Sequence, residues 1–299
     1  MMKHFGKMLA LLLGFVGVLA QADEALLKPF VLTYRGPGTV AEKTAATEAA
    51  LVAQGFTVVG HVAPYPDAMI LIVTNPELLS NAAASVHGGF GAAQRVAITR
   101  VNNEVQVSHT QPVYMANAYR MQDDLHGVAG RLAAALGPGE PFGAQGLTAQ
   151  ALRKYHYMFG MEYFTDPSVL GRFESHAEAL AAVEKGLASN HAGVIRICRI
   201  DVPGGQESLF PVQLKAPDAA SKYMDDRFIM SEIDFREVKS TAHLPYEILV
   251  SGNEVIALYA RFRIAIDFPD LAMVGANSFV NIMKTPDAIE DALKQAVKP

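Results

Sequence analysis

The chain has 299 residues, 51% hydrophobic and 18% charged, with 25 Lys and Arg against 30 Asp and Glu for a net charge of −5. That acidic balance, with no Lys/Arg cluster, argues against a nucleic-acid partner, because such binding rests on cations neutralising phosphates. A single cysteine, Cys198, excludes an intramolecular disulfide, a cysteine zinc site and covalent haem attachment, so burial must hold the chain together.

Lys3 and Lys7 precede an apolar run from Met8 to Leu19, and Ala20-Gln21-Ala22 supplies the small residues of a signal-peptidase site. As a helix the run is roughly 18 Å long, too short for a hydrocarbon core of about 30 Å. The expectation is a signal peptide over residues 1–22, cleaved between Ala22 and Asp23, and a periplasmic or secreted product with no transmembrane segment. Loss of Lys3 and Lys7 takes the charge from −5 to −7.

A first domain is expected over residues 28–137. Phe30 to Tyr34 has strand character and Gly36-Pro37-Gly38 breaks it. Thr39-Val40-Ala41-Glu42 fits a capping box opening an Ala-rich helix that ends at Gly55. Phe56 to Val59 and Ala68 to Val73 read as strands around the turn Pro64-Tyr65-Pro66-Asp67. Asn75-Pro76-Glu77 starts a short helix. Gly88-Gly89-Phe90-Gly91 reads as a flexible lead into a hairpin, Arg95 to Arg100 and Val105 to Thr110, turning at Asn102-Asn103. A helix from about Asp123 to Leu136 closes the half.

Residues 138–171 read as a linker, Gly137-Pro138-Gly139-Glu140-Pro141, followed by an added amphipathic helix from Thr148 to Phe164. The order then repeats over residues 172–299. Ser175-His176-Ala177-Glu178 is a second capping box, and its helix runs to about Ser189. Ala192 to Ile200 and Leu209 to Leu214 are strands, and Ala216-Pro217-Asp218 matches Asn75-Pro76-Glu77. Pro245 to Val250 and Val255 to Ile266 form the hairpin, with Asn253-Glu254-Val255 mirroring Asn103-Glu104-Val105, before a helix from Pro286 to Val297. The prediction is an α+β protein of two similar domains, each a mostly antiparallel sheet with helices on one face in the order β-α-β-β-α-β-β-α, paired as a pseudo-dimer within one chain.

The Thr39-to-Gly55 helix with Gly55-Phe56, the Asn75-Pro76 step and the hairpin ending at Pro112 and Met115 resemble the bacterial family called domain of unknown function 302, over nearly all of residues 30–136. The second half departs from it, with Asn190-His191 where the family usually has Gly-Phe. The resemblance implies a compact α+β domain that often pairs with another copy. It carries no activity and no catalytic residue.

Two groups of residues invite a functional reading. Pro112 to Met121 returns in altered form as Pro269 to Met283, placing Met115, Asn117, Tyr119 and Met121 against Met273, Asn277, Phe279 and Met283. Two such corners would line an apolar pocket with one amide from each half, or each Asn would cap the last helix of its own half. In the added helix, His156, Met158 and Met161 suit Cu(I), and copper or haem is the cofactor class this cluster raises; the alternative is Met filling an interdomain core. The remaining histidines show no zinc spacing, although His109 and His126 flank the same corner. Asp225-Asp226-Arg227 reads as a solvated face. Phosphate-loop, dinucleotide and Gly-x-Ser-x-Gly patterns are missing. The resulting expectation is an exported accessory or small-ligand-binding protein with its site at the junction of the halves. The alternatives are a copper- or haem-associated protein and an enzyme whose residues converge only in three dimensions. A small molecule or a periplasmic protein is the partner class.

Overall fold

The computed structural model describes residues 25–204 and 206–298; the signal-peptide reading of residues 1–22 and its cleavage site lie outside them. The first half runs β1 (Phe30–Gly36), α1 (Val40–Ala53), β2 (Thr57–Val62), β3 (Ala68–Thr74), α2 (Pro76–Ala83), β4 (Gln94–Val101), β5 (Glu104–Thr110), α3 (Pro112–Ala118) and α4 (His126–Leu136). Between the halves lie β6 (Glu140–Phe142) and α5 (Ala149–Arg153). The second half runs β7 (Ser168–Arg172), α6 (His176–Ala188), β8 (Val194–Arg196), β9 (Ile200–Asp201), β10 (Glu207–Leu214), α7 (Asp226–Ile233), β11 (Tyr246–Ser251), β12 (Glu254–Ala257), α8 (Ala260–Asp267) and α9 (Thr285–Val297).

The sheets have the orders β2-β3-β4-β5-β1-β6 and β7-β12-β11-β10-β8, with β9 also pairing β10, and every described pairing is antiparallel. Leaving aside β6 and β9, each half follows one path: the first strand lies beside the last, and a helix carries the chain to the far edge. The fold is α+β, and its topology is duplicated. One face of each sheet holds two helices, α1 beside α4 and α6 beside α9.

Local chemistry accounts for the element starts. Thr39 and Glu42 form the full capping box, Glu42 N–H to Thr39 Oγ1 at 3.1 Å and Thr39 N–H to Glu42 Oε2 at 2.9 Å. The second box is half made: Glu178 N–H reaches Ser175 Oγ at 3.2 Å, while the Glu178 carboxylate accepts from Glu174 N–H. Asn75 Oδ1 takes Leu78 N–H at 2.8 Å, and Pro76 follows where no donor is needed. The hairpin turns match, with Asn102 and Gly252 both at positive φ and Glu104 and Glu254 both opening the return strand.

Several expected boundaries move. The strand expected to reach Ile266 stops at Ala257, and Ala260–Asp267 is helical. Residues 262–268 are all buried, and a helix buried on every side has no polar face to give it a period. The topological partner of α3 is therefore α8, and the pairing of Pro112–Met121 with Pro269–Met283 is overturned. The added helix ends at Arg153, and residues 155–166 are irregular, with no helix. Ala192–Ile200 splits into a 3-10 turn, β8 and β9. The Gly-Pro linker contributes β6, whose register on β1 sets Phe142 opposite Phe30. Ala216-Pro217-Asp218 leads into a 3-10 turn, Ala219–Met224, capped by Asp218, and not into a helix with Pro at its first position.

The second face of each sheet is covered by the other half. On β4 and β5 one face carries Val96, Ile98, Val105 and Val107, which join the hydrophobic core. The opposite face carries Arg95, Thr99, Gln106, Ser108 and Thr110, also buried. Loops exchange across the junction: the 3-10 turn Thr241–His243 lies on β3, β4 and β5, and the 3-10 turn Gly88–Gly91 lies on β10 and β11. The Gly-rich turn is buried, not a flexible lead. A Cβ on Gly88 would collide with the Ala82 carbonyl oxygen, and one on Gly89 with the Leu249 side chain.

Candidate functional site

Polar strand faces pressed together must satisfy their donors and acceptors internally. At the centre of the junction Arg95 on β4 donates to Glu247 Oε1 on β11 at 2.8 Å, and Arg263 on α8 sits 3.4 Å from Glu247 Oε2. Arg263 also pairs with Asp267 one turn along its helix and donates to the carbonyls of His243 and Pro245. His243 Nδ1 lies 2.7 Å from Asp267 Oδ2, and its Nε2 lies 3.2 Å from the Tyr246 hydroxyl. Two guanidinium groups thus face two carboxylates. Burial pushes the His243 imidazole down to about 4, leaving it neutral, while Arg263 and His243 offset burial and hold the Asp267 carboxyl below the usual range.

A carboxylate beside a histidine is also how a proton-transfer dyad looks. Here both side chains have zero exposure, and both ring nitrogens are engaged. With no solvent path to a reacting group, the cluster is a neutral strut that ties β4 to β11 and α8.

An open cleft lies at one end of the same junction, with a volume of about 380 Å³. The first half lends Tyr65 and Pro66 from the β2–β3 turn, and Thr99 and Arg100 from β4. The second half lends Arg227, Met230 and Ser231 from α7, then Asp234, Phe235 and Lys239 from the segment that follows. That segment is pinned from below. Gln106 on β5, 1% exposed, donates to the Glu237 carbonyl at 2.9 Å and accepts from Lys239 N–H at 2.9 Å. Tyr65 and Thr99 both reach the Thr241 hydroxyl, at 3.0 and 2.9 Å.

The charges along the cleft are poorly neutralised. Arg227 is exposed and has no ion pair among the described residues. Arg100 Nε is 3.4 Å from the exposed Asp67 carboxylate, and Lys239 Nζ donates to the main-chain oxygen of Asp234 at 2.7 Å. Asp234 itself is 7% exposed. Its Oδ1 accepts from Ser240 N–H at 2.9 Å, and Oδ2 has no hydrogen-bond partner among the described residues. Burial pushes the Asp234 carboxyl up to about 7, with the Ser240 hydrogen bond and Lys239 opposing it more weakly. The Tyr65 phenol also rises, by burial first and Asp234 second.

Of the residues weighed for function from sequence, Arg227, read as part of a solvated face, lines this cleft; none of the corner or His/Met candidates does. Met115, Asn117, Tyr119 and Met121 are buried. Asn117 is no cap: its amide donates to Val113 O at 2.8 Å and its oxygen accepts from Arg153 Nε at 2.9 Å. Tyr119 stacks on Phe164 with ring centroids 5.6 Å apart. Met273 and Met283 are exposed, Asn277 sits at positive φ in a loop, and Phe279 opens the 3-10 turn Phe279–Ile282. The two corners therefore occupy unlike surroundings, one internal and one at the surface, and line no common pocket among those described.

His156, Met158 and Met161 lie in irregular chain beyond the end of α5, so the shared helix face that grouped them is absent. His156 Nδ1 is 2.8 Å from the Met158 carbonyl oxygen, and its ring lies 4.5 Å from that of Tyr163. Met161 lines a small apolar hollow with Tyr157, Leu271 and Phe279. His109 is buried and pushed down to about 4, whereas His126 is exposed. Cys198 sits between β8 and β9, half-buried, with burial pushing its thiol up to about 12. Asp225 and Asp226 do not form a solvated face: Asp225 caps α7, and buried Asp226 accepts from Leu214 N–H at 2.9 Å.

The cleft residues were legible in one respect only. The stretch between Asp218 and Leu244 has extra length relative to the first half, and insertions on a duplicated scaffold are where function concentrates. No family model, no curated protein and no solved structure matches this chain.

Proposed function

We propose that this chain is an exported binding or accessory protein whose small ligand sits in the cleft at the junction of its two halves. The observation that carries the reading is that the cleft draws Tyr65, Thr99 and Arg100 from one half and Arg227, Asp234 and Lys239 from the other, with the backbone at Glu237 and Lys239 held in place by Gln106. Concave sites between domains with a few convergent polar groups are the usual form of small-ligand sites. The sealed His243–Asp267 pair favours a binding role over catalysis at the junction.

The test is a fragment library screened by ligand-observed NMR against the protein and against Ser231→Trp, which fills the cleft from an exposed position on α7. Hits that bind the parent and are lost in the variant support the reading. No hits, or hits indifferent to the variant, overturn it.

A further inference from the structure

Which ligand chemistry the cleft selects follows from its walls. Three cations reach it, and none has a close, buried carboxylate partner: Arg227 has no ion pair among the described residues, Arg100 shares a 3.4 Å contact with an exposed Asp67, and Lys239 donates to a main-chain carbonyl. This concentration of positive charge stands out on a chain whose net charge is −5. Low-dielectric walls around like charges focus the field on the space between them. Asp234 is the one acid in the lining. Apolar surface completes the cleft, with Pro66, buried Met230 and Phe235, which is 49% exposed despite its size.

We infer that the junction cleft takes a small organic anion, a carboxylate or phosphate on an apolar body, with Arg100, Arg227 and Lys239 at the anionic end and Phe235, Met230 and Pro66 against the body. The inference rests on the cleft being a ligand site. Guanidinium groups suit both anions because their planar donors match paired oxygens. Asp234 Oδ2, without a hydrogen-bond partner among the described residues, is left to hydrogen-bond a neutral polar group of the ligand. Since burial raises the Asp234 carboxyl to about 7, it opposes an anion only weakly near neutrality.

Met230 provides a reporter inside the cleft. Protein labelled with [ε-13C]methionine is titrated with phenyl phosphate, benzoate and the neutral benzamide, and the Met230 methyl signal is assigned from Met230→Leu. The expected result is that both anions shift that signal with at least about tenfold tighter affinity than benzamide, a difference of about 1.4 kcal/mol. In Arg227→Ala combined with Lys239→Ala the advantage should vanish while benzamide binding persists. Benzamide binding as tightly as the anions would overturn the anion assignment and leave the cleft as a ligand site. If no probe moves the Met230 signal, the site reading falls and this inference falls with it. Should only one anion bind, the ligand class narrows to that anion.

Discussion

Replacing Asp234 with Asn tests the electrostatics of the cleft wall through stability alone. The Asn oxygen keeps the hydrogen bond from Ser240 N–H, made at 2.9 Å by Oδ1, but the side chain can no longer ionise. The folded carboxyl titrates near 7 against an ordinary value of 3.8. Below the ordinary value both folded and unfolded chains hold the proton, and the aspartate costs nothing. As pH rises from about 4 to about 7, the unfolded chain ionises while the folded one resists, so the native state loses stability. At 1.36 kcal/mol per pH unit this loss approaches about 4 kcal/mol. Arg100, Arg227 and Lys239 face the cleft beside Asp234, and Arg236 and Asp270 lie around its other side; of these Lys239 pulls its pKa down. His109 and His243, each pushed down to about 4, act with the opposite sign, since their contribution is lost as pH falls from about 6.5. They are common to both proteins and cancel in the difference. Urea denaturation of parent and variant at half-unit steps from pH 4 to pH 8 should show a variant advantage that is near zero at the acid end and grows to a few kcal/mol. A difference that stays flat across that range would refute the argument.

The remaining predictions concern the junction and the core. Arg263→Met leaves buried Asp267 without its guanidinium partner, while Glu247 keeps Arg95, so chemical denaturation should show a loss of about 3–5 kcal/mol; a loss under about 1 kcal/mol would mean the network is not a strut. Gly88→Ala should cost more than Gly89→Ala, because the first meets a backbone oxygen and the second a movable Leu249 side chain; the usual penalty for overpacking is about 1–3 kcal/mol, and the reverse order would contradict the packing described. Asn117→Ser removes the acceptor that Arg153 uses at 2.9 Å. A capping residue would tolerate serine, so a measured destabilisation of about 1–3 kcal/mol supports the buried role.

Elements governed by neighbours in sequence were readable in advance. The Thr39 and Ser175 caps, the Asn75-Pro76 helix start and the two hairpins all depend on interactions spanning a few residues, which composition and spacing express directly. Their repetition in one order made duplication visible, and the two sheet paths bear that order out. The repeat lost its register where the chain is buried on every side. Ile256, Phe262, Ile264 and Ile266 suit a strand as well as a helix, and only the packing of α8 between the halves decided between them.

The polar faces of β4 and β5 show the deeper limit. Alternation of Val96 and Ile98 with Arg95 and Thr99 reads as a strand with one wet side, since a sequence states a residue's polarity and not what lies opposite it. Docking of the second half buried that side and supplied Glu247 and Thr241 to answer it. The cleft is of the same kind: Tyr65, Arg100, Arg227 and Lys239 come from separate segments, and no local spacing links them. Sequence determined the elements, their order and their doubling, because short-range hydrogen bonds and hydrophobic period fix those. Which faces meet, which charges are buried and where space remains between the halves were decided by tertiary structure, because those depend on pairings between residues far apart in the chain.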